Sequence, residues 1–151
     1  MQIFQFRSIY FMLLVVILGI SCTLDDDSLS NTTPSEVEMT VQSGTWKVTL
    51  FEEEGKNETY YFNGFSFTFE DNGTLIASNG STTYEGSWSI GSGSNDDSPS
   101  DLDFNIFFPL SNEFEELNDD WDIVSRSNTR IELIDISGGN GGTDYLTFEK
   151  N

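Results

Sequence analysis

From Gly44 to the C-terminus, apolar and polar residues alternate in short runs separated by Gly, Asn, Asp and Ser. A period of two sends successive side chains to opposite faces, so each run reads as a half-buried β-strand. Eight strands are predicted, over residues 45–51, 65–70, 74–78, 82–90, 102–108, 120–126, 129–136 and 144–150. Their inward faces are expected to carry Trp46, Val48 and Leu50 on the first strand and Phe65, Phe67 and Phe69 on the second. The fourth offers Tyr84, Gly86, Trp88 and Ile90, and the fifth Leu102, Phe104, Ile106 and Phe108. Asp71-Asn72-Gly73 and Asn79-Gly80 are turn signals, because Asn and Gly accept left-handed backbone. Gly86, inside a strand, fits a close backbone approach or a bend. Upstream, Thr33-Pro34-Ser35-Glu36 has a capping-box pattern with proline at the first helical position, which predicts one or two helical turns before the first strand.

Eight strands in sequence, short connections and no long helix predict an all-β fold. The expected form is an eight-stranded up-and-down antiparallel barrel, closed between the first and last strands, with a short N-terminal helical turn. Closure also removes sheet edges that such aromatic strands would expose. The interior candidates are Trp46, Phe67, Trp88, Phe104 and Trp121. Eight strands leave room only for side chains or for one small ligand, so a filled core and a cavity both stay open at this point. Loops alternate between the two ends of such a barrel. The long loops 52–64, 109–118 and 137–142 share one end, which is the expected mouth. Tyr60, Tyr61, Phe62 and Phe114 lie on those loops, as a lid or sugar-stacking platform in one reading and as a core plug in the other.

The first residues differ in texture. A polar start (Gln2, Gln5, Arg7) leads into an apolar block from Ile9 to Ile20. That block is shorter than the ~20 residues a membrane-spanning helix needs and matches the core of a signal peptide, here residues 1–21. Gly19-Ile20-Ser21-Cys22 resembles the lipobox of bacterial lipoproteins, which implies cleavage before Cys22 and a lipid on its sulfur. Residues 22–43 are acidic and rich in Ser and Thr, as a tether would be, and the barrel domain is expected over 44–151. Asp25-Asp26-Asp27 resembles the export signal of surface-exposed Bacteroidota lipoproteins, implying an outer-membrane lipoprotein at the cell surface, with the periplasmic face as the alternative.

Gly44-Thr45-Trp46-Lys47, Phe67-Thr68-Phe69 with Asp71-Asn72-Gly73-Thr74, and Tyr84-Glu85-Gly86-Ser87-Trp88 occur in that order. Leu117-Asn118-Asp119-Asp120-Trp121 and the terminal Tyr145-Leu146-Thr147-Phe148-Glu149-Lys150 follow. Together they resemble the lipocalin-like domain of small Bacteroidota lipoproteins, and Gly44-Thr45-Trp46 resembles the Gly-x-Trp signature of lipocalins. The resemblance implies a lipocalin-like barrel and brings no established activity. Where lipocalins place an arginine over the first-strand tryptophan, the last strand here offers Lys150.

Composition narrows the chemistry. Twenty-six acidic against six basic residues give a net charge of −20, which repels nucleic acid and anionic headgroups. The absence of histidine removes Ser-His-Asp and Cys-His machinery and imidazole zinc ligands. Asn95-Asp96-Asp97 with Asp101 and Asp103 lacks EF-hand spacing and reads as a solvated loop. The glycine run from Gly138 to Gly142 is a single occurrence and makes no calcium-binding repeat. No catalytic residue, metal or cofactor is therefore expected, and no enzyme. Two functions remain: a lipid-anchored envelope module binding a small apolar molecule or glycan at the barrel mouth, or a structural, protein-interaction module with a filled core.

Overall fold

A computed structural model describes residues 33–92, 102–136 and 142–151. The expected signal peptide, the lipobox-like Gly19-Ile20-Ser21-Cys22, Asp25-Asp26-Asp27 and the start of the expected tether lie outside these residues. So do the loop holding Asn95-Asp96-Asp97 and most of the glycine run. The chain opens with α1 (Pro34–Gln42) and continues through β1 (Thr45–Glu53), β2 (Lys56–Asn57), β3 (Ser66–Phe69), β4 (Thr74–Ser78) and β5 (Thr83–Ser92). It ends with β6 (Leu102–Phe107), β7 (Asp119–Arg126), β8 (Arg130–Ile136) and β9 (Thr143–Lys150). From β3 onward each strand pairs antiparallel with the next, and β1 pairs with both β3 and β9. The protein is thus a closed eight-stranded antiparallel barrel with one short helix. The two-residue β2 only folds back on the end of β1, through Glu54 and Gly55, both at positive φ.

The capping box starts the helix as expected. The Thr33 N–H donates to the Glu36 carboxylate at 2.8 Å, and this bond holds the Glu36 pKa below its usual value. The helix is longer than one or two free turns, and it belongs to the folded body. Val37 and Val41 are fully buried, so Pro34–Gln42 packs onto the barrel. Trp46 donates its indole N–H to the Val41 carbonyl at 2.7 Å, and Arg126 donates to the Thr40 hydroxyl at 2.8 Å. These contacts seat α1 across the barrel end where β1 starts.

Alternation holds along most strands. Trp46, Phe67, Trp88, Phe104 and Trp121 all point into the core, none more than 6% exposed. One face departs from expectation. A bulge in the β1–β9 register between Val48 and Leu50 inserts one residue, so Phe51 takes the third inward position and Leu50 is only half-buried. Phe65 likewise precedes β3 and is half-buried beside the core. Gly86 shows the predicted close approach: a Cβ there would lie 2.4 Å from the Phe107 carbonyl oxygen and 2.8 Å from the Phe108 ring.

Aromatic rings fill the middle of the barrel. Phe69 meets Trp88, Phe104 and Phe148 edge-on at 5.4–5.6 Å, and Phe67 meets Phe148 at 5.4 Å. Edge-to-face pairs at this spacing gain about 0.5–1.5 kcal/mol beyond burial. Lys150 covers Trp46, its ammonium 5.6 Å from the ring, and also donates to the Ser43 hydroxyl at 2.8 Å. The lysine stem passes so close to Gly44 that a Cβ there would sit 2.8 Å from it. The small residue of Gly44-Thr45-Trp46 thereby leaves room for the cation over the tryptophan.

Candidate functional site at the loop end of the barrel

The end opposite α1 is built from the β1–β3 and β6–β7 connections. The first folds into a 3-10 turn, Thr59–Phe62, and the second into another, Glu115–Leu117. Thr59 is fixed by its hydroxyl, which accepts from the Phe51 N–H at 2.8 Å. Asn118 fixes the second connection by bonding both backbone groups of Phe108. Trp121 donates its indole N–H to the Leu117 carbonyl at 3.1 Å.

The four aromatic candidates of these loops separate into two pairs. Phe62 and Phe114 are 1% and 2% exposed and face inward. Phe114 lies within 6.1 Å of five other rings, those of Phe62, Phe65, Phe67, Tyr84 and Phe108. It closes the barrel as a stopper. Tyr60 stays outside, 54% exposed, while Tyr61, its ring centre 4.2 Å away, is half-buried against the edge of the core. A hydrogen bond between the two hydroxyls pushes the Tyr61 pKa up to about 12.

Above the stopper lies a carboxylate rim that the sequence reading did not single out. Carboxylate oxygens of Glu53, Glu58 and Glu116 all fall within 4.8 Å of one another. Glu58 is 4% exposed and is ion-paired to Lys56. Desolvation, followed by the negative charges of Asp144 and Glu58, raises the Glu53 pKa. Desolvation and then Glu53 and Glu58 raise that of Glu116. Asp119 is pushed up to about 6, chiefly by desolvation. Glu53, Glu113, Glu115, Glu116, Asp119 and Asp144 line an open cleft of about 620 Å³. Three convergent carboxylates are oxygen ligands of the kind calcium takes, but here the Lys56 ammonium already neutralises the buried member. With 26 acidic residues in the chain, no spacing in the sequence marks these three.

Closed barrel, buried aromatic interior and stoppered ends define the class: an all-β, closed eight-stranded antiparallel barrel protein. Among solved structures, a duf4847 family protein from Bacteroides vulgatus ATCC 8482 is similar, at 22% identity and a TM-score of 0.50. The match covers 76% of this chain and 97% of that one, and it is a likeness of fold. No protein-family model matches the sequence, and no curated protein does.

Proposed function

We propose that this chain is a non-enzymatic, lipid-anchored module of the bacterial envelope that works through its outer surface, around a filled barrel. The observation that carries this reading is Phe114, buried against five rings where a ligand mouth would open. A ligand entering there would have to displace a fully packed aromatic side chain, which costs about 3–5 kcal/mol on the scale of Phe deletions. Leu18-Gly19-Ile20-Ser21-Cys22 supports the anchor, with lipid on Cys22, and Asp25-Asp26-Asp27 supports the cell-surface side of the outer membrane. The tether enters at Thr33, beside the end that α1 covers. On this reading the helix end faces the membrane, and Tyr60, Tyr61 and the carboxylate rim face away.

Native mass spectrometry of the protein released from its lipid, with cross-linking in intact cells, tests the reading. The expected result is a barrel carrying no apolar guest and one dominant partner at the surface. An apolar molecule that stays bound until the barrel unfolds would overturn it. Cys22→Ser should move the protein from the membrane to the soluble fraction without changing its melting temperature.

A further inference from the structure

On β6, alternation sends Phe104 and Ile106 inward, and Phe108 continues the inward series just past the strand. Phe107, between the last two, faces out and is 54% exposed. A lone exposed phenylalanine needs no explanation. This one has a setting. Its cross-strand partner on β5 is Ser87, and Asn105, two residues earlier on the same face, stands opposite Ser89 on β5 and Asp120 on β7. β6 and β7 stay in register only as far as Ile106 and Asp119. Beyond that the Asn118 side chain replaces the ladder by bonding the Phe108 backbone, and the strands part. The result is a cleft of about 410 Å³ in the outer wall, lined by Ser87, Ser89, Asn105, Phe107, Asn118 and Asp120. Among the described residues, no side-chain hydrogen bond commits Ser87, Ser89 or Asn105.

From this wall cleft we infer a binding site for a neutral carbohydrate, with Phe107 as the stacking ring. A pyranose has one apolar C–H face and a rim of hydroxyls, each both donor and acceptor. The phenyl ring suits the face. The Asn105 amide offers a donor and an acceptor to a pair of vicinal hydroxyls, and the serine hydroxyls and the Asp120 carboxylate add partners of matching type. An acyl chain would strand these polar groups against hydrocarbon. An anionic ligand would meet Asp119 and Asp120 on a chain of net charge −20. The site rests on the reading of the barrel as a surface-working module, and gives one face of that surface a partner chemistry.

Isothermal titration of the full chain, in a detergent without a sugar headgroup, against cello-, laminari-, malto-, xylo- and mannohexaose tests it. At least one should bind, with a shift of the Asn105 side-chain amide resonance. Phe107→Ala and Asn105→Ala should each weaken that binding about tenfold while circular dichroism and melting temperature stay unchanged. Tyr60→Ala, at the loop end, should leave it intact. Absence of binding to all five sugars overturns the inference, as does binding that survives Phe107→Ala or is lost in Tyr60→Ala. A protein cross-linked at position 107 in place of sugar binding would also overturn it, and would leave the surface-working module standing.

Discussion

The two ends of the barrel are closed by opposite means. At the helix end, α1 supplies small aliphatic side chains, Val37 and Val41, and the polar work is done by cations, Lys150 over Trp46 and Arg126 on Thr40. At the loop end the lid is aromatic, Phe62 and Phe114, and the surrounding charge is negative, with Lys56 as the neighbouring cation. One end is a helix laid on by regular structure. The other is a pair of short turns held by single side chains, Thr59 and Asn118. A lid of irregular backbone needs a larger side chain to fill the space a helix would fill, and Phe114 is that side chain. The comparison also separates the two ends by charge: the helix end holds cations, with the buried Arg126 Nε left without a hydrogen-bond partner among the described residues, whereas the loop end keeps Glu53, Glu116 and Asp119 at raised pKa.

The largest effect should come from the stopper. Phe114→Ala leaves five rings around a void and should cost about 4 kcal/mol, or roughly 15 °C in melting temperature by calorimetry. Val41→Ala at the other end removes fewer contacts and should cost about 2 kcal/mol. Equal losses for the two variants would erase the contrast between the lids. Asp119→Asn should act in the opposite direction and more weakly. The native carboxyl titrates near 6, above its unfolded value, so its proton stabilises the fold at low pH and that contribution is lost as pH rises from about 4 to 6. Asn keeps the neutral form at every pH. The variant should melt about 3 °C higher than the wild type at pH 7.5 and nearly level with it at about pH 3.5. A constant difference across that range would mean that charge at the rim is not what distinguishes the loop end.

Much of this architecture is legible in the sequence, because alternation is a local signal. Phe104 faces inward on β6 because its neighbours Asp103 and Asn105 are polar, and Asn72-Gly73 and Asn79-Gly80 turn where backbone chemistry demands. The features that escaped depend on distant partners. Leu50 and Phe51 exchange roles at a bulge imposed by pairing with β9. The segment before Gly44 reads as tether by composition, yet two valines one turn apart are enough to dock it as α1. Phe114 sits in a run without periodicity, so the sequence names it as a loop aromatic and leaves open whether it lines a mouth or plugs it. The carboxylate rim was hidden by abundance, since acids occur throughout the chain and only the fold selects three of them.

The three tryptophans have one more consequence. Each anchors its indole N–H on a main-chain carbonyl near one end of the barrel. Trp46 reaches Val41 and Trp88 reaches Glu70 at the helix end, while Trp121 reaches Leu117 beneath the loop end. The molecule therefore carries its own optical gauges, one set for each lid. If one lid loosens before the other, emission from its indoles shifts to longer wavelength while the far set keeps its buried colour. The order in which the barrel opens is thus written in its intrinsic fluorescence, with no label attached.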